Sequence, residues 1–384
     1  TSVLKAINSV LNYKDEESSF LNQNHRYAPR NNTHITIVFD EIPNKNLYED
    51  KVNNNTLTIK FSYIYSENKK KYTLIKGRKE ENLDDSFMED LSKDLLYVYI
   101  PAGRSNKDIR WNQGSIFKKL LLEYTEKYTE NRDVVSGYVR KATDKIHNSM
   151  LVKLEKQLNL LYMQNKSMDF KIDFPENIDY ISLLGRVELS LNQDESNYLL
   201  EEWGSGTKSL AVIAMHRAHA LLNGGSIVLG IEEPETNLHP QAQKRFILSL
   251  NNKLYENEIQ AIFTTHSTVL VDELPHENIL LLRRRKDGSK RMISQISQLS
   301  SDFWIKYNIE EFKHYQYFHY KNSDFFFSKY VVLAESKNDC QVFKSLITPE
   351  IKDNIADISF LDAAGIENMK YPFFLLKELQ IPFT

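Results

Sequence analysis

One stretch constrains this chain more than any other: Ile227-Val228-Leu229-Gly230-Ile231-Glu232-Glu233-Pro234-Glu235-Thr236-Asn237-Leu238-His239-Pro240. An apolar run that ends in two adjacent carboxylates reads as a buried parallel strand with both acids at its C-terminal edge, where ligands sit in such sheets. Side chains alternate along a strand, so the two acids suit different tasks. One can hold the water shell of a magnesium ion while the other polarises an attacking water. Structural needs alone seldom leave two free carboxylates at the end of a buried strand, because unpaired buried charge is costly. The competing reading is an exposed acidic loop after an ordinary strand.

The flanking segments keep a strand–helix rhythm. An apolar helix to Leu222, a strand Ile227 to Ile231, a helix Gln241 to Leu254 and a strand Ile259 to Phe263 predict parallel pairing in an α/β sheet. Gln260-Ala261-Ile262-Phe263-Thr264-Thr265-His266-Ser267 closes the second strand on a histidine. A histidine there is commonly a polar loop residue, but at this distance after the acids it can place a ring nitrogen against a γ-phosphate. Upstream, Trp203-Gly204-Ser205-Gly206-Thr207-Lys208-Ser209-Leu210 is a glycine pair leading into a helix, whose first N–H groups form an anion site. It is not a phosphate-binding loop of the Gly-Lys-Ser/Thr kind: Thr207 precedes Lys208, and no apolar strand feeds the turn.

From the N-terminus, Thr1 to Tyr13 reads as a helix with Val3, Leu4, Ile7, Val10 and Leu11 on one face. A polar stretch, Asp15 to Asn32, precedes a strand at His34 to Phe39. Leu57, Ile59, Phe61 and Tyr63 alternate with Thr58, Lys60 and Ser62, the period of a half-buried strand, and Tyr72 to Ile75 and Leu96 to Ile100 continue the β pattern. Asn44 to Asn55 and Lys76 to Asp85 read as turns and loops. Ile116 to Tyr128 and Val134 to Met163 read as helices. In the second, Leu151, Leu154, Leu158 and Leu161 form a stripe that suits either a short coiled coil or packing on the chain's own core. Phe170, Ile172 and Phe174, then Val187, Leu189 and Leu191, return to strand alternation.

A second acid-tipped strand comes later. Tyr330-Val331-Val332-Leu333-Ala334-Glu335 is followed by Ser336-Lys337-Asn338-Asp339 and a helix carrying Val342, Phe343 and Leu346. Glu335 at the strand tip and Asp339 in the first helical turn can converge on one hard cation. The alternative is a helix-capping Asp339 beside an incidental Glu335. Ile358 to Leu361 is a further strand, followed by Ala363-Ala364-Gly365, a helix ending near Leu379 and a third strand from Ile381.

Composition excludes several classes. Of 384 residues, 41% are hydrophobic and 26% charged, which suits a globular chain, and no apolar run reaches the length of a membrane span. Cys340 is the single cysteine, which removes a disulfide framework and a cysteine-rich zinc site and suits a cytoplasmic location. The net charge of -3 means that any nucleic-acid contact needs a local patch. Arg283, Arg284, Arg285 and Lys286, with Lys290 and Arg291 across the Asp287-Gly288 turn, form such a basic hairpin. It suits phosphate binding, and equally a strand edge protected by charge.

The order glycine turn, helix, acidic strand, helix, histidine strand resembles the ATP-binding-cassette (ABC) type of head ATPase. Residues 330–384 resemble a Toprim metal-dependent nuclease or topoisomerase fold. The two on one chain resemble the OLD family of ATP-dependent endonucleases, which includes the nuclease subunit of the Gabija antiphage system. Val98-Tyr99-Ile100-Pro101-Ala102-Gly103-Arg104 is similar to that family's strand-end "IPA.R" element. The resemblance implies an α/β fold: an ABC-type ATPase head, with a mixed β-sheet, flanking helices and a helical insertion, followed by a partial Toprim domain. It assigns 1–112 to the head's N-terminal lobe, 113–166 to a helical insertion suited to dimerisation, and 167–300 to the lobe with the signature turn, acidic strand and switch histidine. A helical linker would span 301–329, and the Toprim part 330–384.

The resemblance also implies roles. Gly204, Ser205, Gly206 and Lys208 belong to the signature turn that closes over ATP bound to a second subunit, and Asn237 and His239 to the dimer-contact loop. Glu232 is the magnesium acid, Glu233 the hydrolysis acid and His266 the switch. Thr1 corresponds to the hydroxyl residue closing a Gly-Lys-Thr phosphate loop and touching the same metal. Glu335 and Asp339 are the catalytic metal ligands of the nuclease, taking Mg2+ or Mn2+. Ser336 stands where the family usually has a glycine, and an Asp-x-Asp belongs beyond Thr384. The implied activity is ATP-regulated, divalent-metal-dependent DNA cleavage or nicking in antiphage defence. It would be performed by a homodimer or higher oligomer, with a helicase-like or other defence partner and no membrane. The alternative is an ATPase clamp or sensor with a degenerate Toprim domain that recruits a separate effector. A chain that opens inside a helix with no methionine reads as an internal fragment without its phosphate-loop lysine, inactive towards ATP; trimmed flexible tails are the other reading.

Overall fold

The computed structural model describes residues 2–26, 28, 31–40, 46–128, 132–161, 171–172, 174, 180–193, 196–223, 226–257, 259–286, 292–319 and 323–384. Thr1, Phe170 and the hairpin turn with Lys290 and Arg291 lie outside these residues. The chain divides into two compact units, Thr1–Glu232 with Asn257–Phe263, and Glu233–Glu256 with Thr264–Thr384.

The first unit opens with α1 (Ser2–Leu11) and α2 (Tyr13–Leu21). α2 occupies part of the window whose polar composition reads as a loop. It buries only Glu16 and Phe20, one turn apart, too sparse a pattern for periodicity to register. Phe20 stacks on Tyr63 at 4.9 Å, and Glu16 accepts a hydrogen bond from Asn8 Nδ2 at 3.2 Å. Four antiparallel strands follow in spatial order: β1 (Thr33–Phe39), β2 (Leu57–Ile64), β3 (Lys69–Lys76) and β4 (Lys79–Leu83). Leu57, Ile59, Phe61 and Tyr63 are fully buried, as their alternation requires.

Two of the expected loops contain short elements. α3 (Asn46–Glu49) seats Tyr48, whose hydroxyl donates to Asp94 Oδ2 at 2.8 Å. β4 is a charged, exposed edge strand whose composition hides its pairing with β3. α4 (Asp85–Asp94) is capped by Asp84, which accepts from the Phe87 N–H at 3.1 Å, and it buries Phe87, Met88 and Leu91.

After β5 (Leu95–Ile100) come α5 (Ile116–Tyr128), α6 (Arg132–Ile146), a π-helical turn at His147–Leu151 and α7 (Val152–Leu161). Of the leucine stripe, Leu151 is half-buried and Leu154 exposed, while the side chains of Leu158 and Leu161 lie outside the described residues; Val139 of α6 is buried. Ile172 and Phe174 lie in no strand. The β signal beyond them resolves into a hairpin, β6 (Ser190–Gln193) and β7 (Ser196–Leu199), preceded by the short α8 (Ile181–Leu184).

α9 (Ser205–Asn223), β8 (Ser226–Glu232), α10 (Pro240–Asn257) and β9 (Ile259–Thr264) follow the expected rhythm. β8 is the middle of a three-stranded sheet, order β5-β8-β9, and runs parallel to β5 with Val98 opposite Leu229 and Ile100 opposite Ile231. Gly230 is required here: a Cβ would sit 2.1 Å from the Tyr97 hydroxyl. That hydroxyl donates to the Leu4 carbonyl at 3.0 Å and ties α1 to the sheet.

The second unit holds α11 (Thr268–Asp272), the antiparallel pair β10 (Leu281–Lys286) and β11 (Met292–Ser297), α12 (Phe303–Lys306) and α13 (Glu311–Phe318). β12 (Tyr330–Ala334), α14 (Lys337–Ile351), β13 (Ile358–Asp362) and α15 (Lys370–Glu378) complete it. β12 and β13 are parallel, with Ala334 opposite Asp362. On the other side of β12, Val331 and Leu333 donate to the carbonyls of Pro382 and Thr384 at 2.9 and 2.8 Å, adding a third parallel segment. Phe303, Ile309, Phe318 and Phe325 share one core with Val331, Leu361, Leu375 and Leu376. No described helix is long and apolar enough to cross a membrane.

Candidate functional site

In the first unit β8 delivers Glu232 to the strand's C-terminal end, 7% exposed. The segment after β5 meets it there. The Ala102 N–H donates to Glu232 Oε2 at 3.4 Å, and Arg104 Nη1 donates to the Glu232 carbonyl at 3.1 Å. Burial first, and then the neighbouring Glu232 carboxylate, push the Tyr99 pKa well up. Glu232 Oε1 is buried with no hydrogen-bond partner among the described residues. An orphaned, buried carboxylate oxygen is a costly arrangement for a chain alone and a good donor for a hard cation, so this site fits Mg2+.

The glycine turn also belongs to the first unit. A short 3-10 segment, Leu200–Glu202, ends at Trp203, and α9 starts at Ser205. Gly204 and Ser205 are exposed, Gly206 and Lys208 half-buried, and the Lys208 N–H donates to the Gly204 carbonyl at 3.2 Å. The free N–H groups of a helix's first turn point outward from such a start. A cleft of about 280 Å³ lined by Tyr198, Glu202, Trp203 and Gly204 opens beside it.

In the second unit the chain turns sharply after the acidic strand. Glu233 adopts a left-handed φ of 40°, and its N–H donates to the Thr264 carbonyl at 2.9 Å. Such strain in a non-glycine residue persists only where its surroundings hold it. Asn237 is also left-handed, at φ 66°, and both Asn237 and His239 are exposed ahead of Pro240, the first residue of α10. Glu235, not singled out in the sequence, accepts hydrogen bonds through Oε1 from Thr265 Oγ1 and from the His266 N–H, both at 2.8 Å. His266 itself is exposed, its ring 6.3 Å from that of Phe327. The third acid in Glu232-Glu233-Pro234-Glu235 is the available signal for Glu235, and the doublet before it masks that signal.

At the second acid-tipped strand, Glu335 is exposed just beyond β12. Asp339 caps α14: its Oδ2 accepts from the Ser336 N–H at 3.0 Å and the Ser336 hydroxyl at 2.7 Å, while Ser336 Oγ accepts from the Asp339 N–H at 3.3 Å. Asp362 ends the neighbouring β13, and its carbonyl accepts from the Tyr317 hydroxyl at 2.7 Å. Among the described residues no group of three or more His, Cys, Asp or Glu is placed to hold a metal ion. The donor set here is thus smaller than a closed cation site needs. In the basic hairpin, Arg283 is occupied: its Nη2 donates to the carbonyls of Ser328 at 2.6 Å and Phe326 at 3.4 Å. Arg284, Arg285 and Lys286 of β10 remain exposed.

Residues 96–271 match the family model described as an AAA ATPase domain. The chain is 25% identical over 287 residues to the OLD nuclease of Thermus scotoductus (strain ATCC 700910 / SA-01), covering 71% of this chain and 52% of that protein. It is 28% identical over 171 residues to Endonuclease GajA of Bacillus cereus (strain HuB5-5), covering 40% of this chain and 25% of that one. It therefore spans about half of one relative and a quarter of the other. Among solved structures, the SmcHead bound to the C-winged helix domain of ScpA overlaps 71% of this chain and 75% of its own, with TM-score 0.41 and 14% identity. Residues 96–271 are thus similar to an AAA ATPase domain, and the chain around them is similar to proteins named OLD nuclease and Endonuclease GajA.

Proposed function

We propose that this chain is the ATPase-bearing part of an ATP-regulated, divalent-metal-dependent DNA endonuclease of antiphage defence, working in the cytoplasm. One observation carries the reading: the Glu232 carboxylate, buried at the end of a parallel strand with Oε1 unpartnered, inside the stretch that matches an AAA ATPase domain. Bound Mg·ATP supplies a reactive γ-phosphoryl group and the cation that offsets its charge. Glu232 would hold that cation, and Thr1 would add a hydroxyl. Glu233 polarises the attacking water, and His266 holds the γ-phosphate. The N–H groups of the turn carrying Gly204, Ser205, Gly206 and Lys208 grip a nucleotide on a second copy, with Asn237 and His239 at the contact. The working form is therefore a homodimer or higher oligomer. The division at 112, 166, 300 and 329, with an ABC-type head before a Toprim part, belongs to the same reading.

In this reading Glu335 and Asp339 would hold the Mg2+ or Mn2+ used for DNA cleavage only together with further ligands, since the two alone fall short of a cation site. A helicase-like or other defence protein is the expected partner. The second reading, an ATPase clamp or sensor whose Toprim part is degenerate, is favoured by the engagement of Asp339 in the cap of α14. A plasmid-nicking assay on the full-length protein separates the two. The endonuclease reading expects Glu335→Ala to abolish nicking in Mg2+ or Mn2+ with ATP turnover unchanged. Persistent nicking in that variant removes Glu335 from the site. A parent protein that turns over ATP and never nicks supports the sensor.

A further inference from the structure

We propose that Glu235 is a positioning residue for His266. This rests on reading His266 as the γ-phosphate contact, and it adds a residue that the reading does not contain. The His266 imidazole is exposed, so its place is set through the backbone that carries it. Glu235 Oε1 holds two consecutive residues, taking the Thr265 side-chain hydroxyl and the His266 backbone N–H at 2.8 Å each. Thr265 Oγ1 in turn accepts from the Ser267 N–H at 2.9 Å, so one carboxylate oxygen organises the whole turn.

A second strut holds the far side. Ser267 Oγ donates to Gln243 Oε1 at 2.5 Å, and Gln243 Nε2 donates to the Leu238 carbonyl at 2.8 Å. The turn bearing His266 is thus pinned at both ends to the segment that runs from Glu235 into α10. Glu235 Oε2 is buried and meets no donor among the described residues. The role therefore requires an acceptor at Oε1 and not a charge, and an amide can substitute for the carboxylate.

Hydrogen exchange of the His266 amide and steady-state ATP turnover, both in the full-length protein, test the proposal. Glu235→Ala is expected to speed exchange at His266 roughly tenfold, the loss of one hydrogen bond. It should also lower kcat by roughly 10–100-fold with little change in KM for ATP, the signature of a misplaced group. Glu235→Gln is expected to keep exchange and kcat near the parent values. If Glu235→Ala does not fold, Thr265→Val removes one of the two donors and should raise exchange and lower kcat in part, with Thr265→Ser restoring both. Unchanged exchange in Glu235→Ala, an unchanged kcat despite faster exchange, or equal behaviour of Thr265→Val and Thr265→Ser would each overturn the proposal. A parent protein without ATP turnover refutes the His266 reading instead, and leaves the exchange result to judge the clamp by itself.

Discussion

Gly230 shows how tightly individual residues are constrained next to the acidic pair. The Tyr97 hydroxyl occupies the space a side chain would need and uses it to hold α1 through the Leu4 carbonyl. Gly230→Ala must push Tyr97 off that carbonyl, and overpacking of this kind costs about 1–3 kcal/mol. Chemical denaturation should show that loss, and Tyr97→Phe in the same background should recover little, because the ring and not only the hydroxyl crowds the site. Glu232 depends on the same neighbourhood, and its position was readable because an acid doublet after an apolar run has few structural uses. Arg104 and Ala102 were readable only as a motif. That they reach the backbone and carboxylate of Glu232 depends on β5 lying beside β8, a pairing across more than a hundred residues that local pattern does not encode.

At the scale of elements, strands with clean alternation or unbroken apolar runs, such as β2, β8 and β12, were legible because burial dictates their sequence. α2 and β4 were not. One buries two residues in nine and the other none of its five, so little hydrophobic pattern was left to read. The cap of α14 was legible as an alternative, since Ser336 with Asp339 three residues on is a capping-box spacing as well as a metal-ligand spacing. The β10–β11 hairpin divides its charges: Arg283 serves the backbone at Phe326 and Ser328, while Arg284 and Arg285 face outward. Reversing Arg284 and Arg285 to glutamate is therefore expected to leave stability nearly unchanged. If the hairpin binds DNA, it should lower the slope of log affinity against log salt by about 2, roughly one for each phosphate no longer neutralised. An unchanged slope in a fluorescence-anisotropy titration would leave the hairpin as a charge-protected edge.

For the whole molecule, the two units rest on separate cores, and the second encloses a buried histidine pair. His276 Nδ1 and His314 Nε2 are 2.9 Å apart, at 4% and 0% exposure, among Phe318, Phe326 and Trp304. Burial first, and for His314 also its partner, depress their pKa values to about 4 and about 3. Unfolded histidines take up protons below about pH 6.5. The pair's stabilisation is therefore whole above neutrality and is lost as pH falls from there towards about 4, because the unfolded chain binds protons that the folded one refuses. Between pH 7 and pH 5 this unit should lose roughly 2 kcal/mol per histidine in urea unfolding. A variant with both residues changed to Gln should show a shallower pH dependence over the same window; an identical slope would assign the acid sensitivity to other groups.

The central claim is that the acid doublet closing β8 works on ATP. It is tested most directly by nucleotide turnover and nucleotide retention of the full-length protein carrying Glu233→Gln, measured with Mg2+. The expected result is turnover reduced roughly a hundredfold or more, as for loss of a general base, with unhydrolysed ATP retained in a stable dimer. Turnover at the parent rate, with no retained nucleotide, would contradict the account.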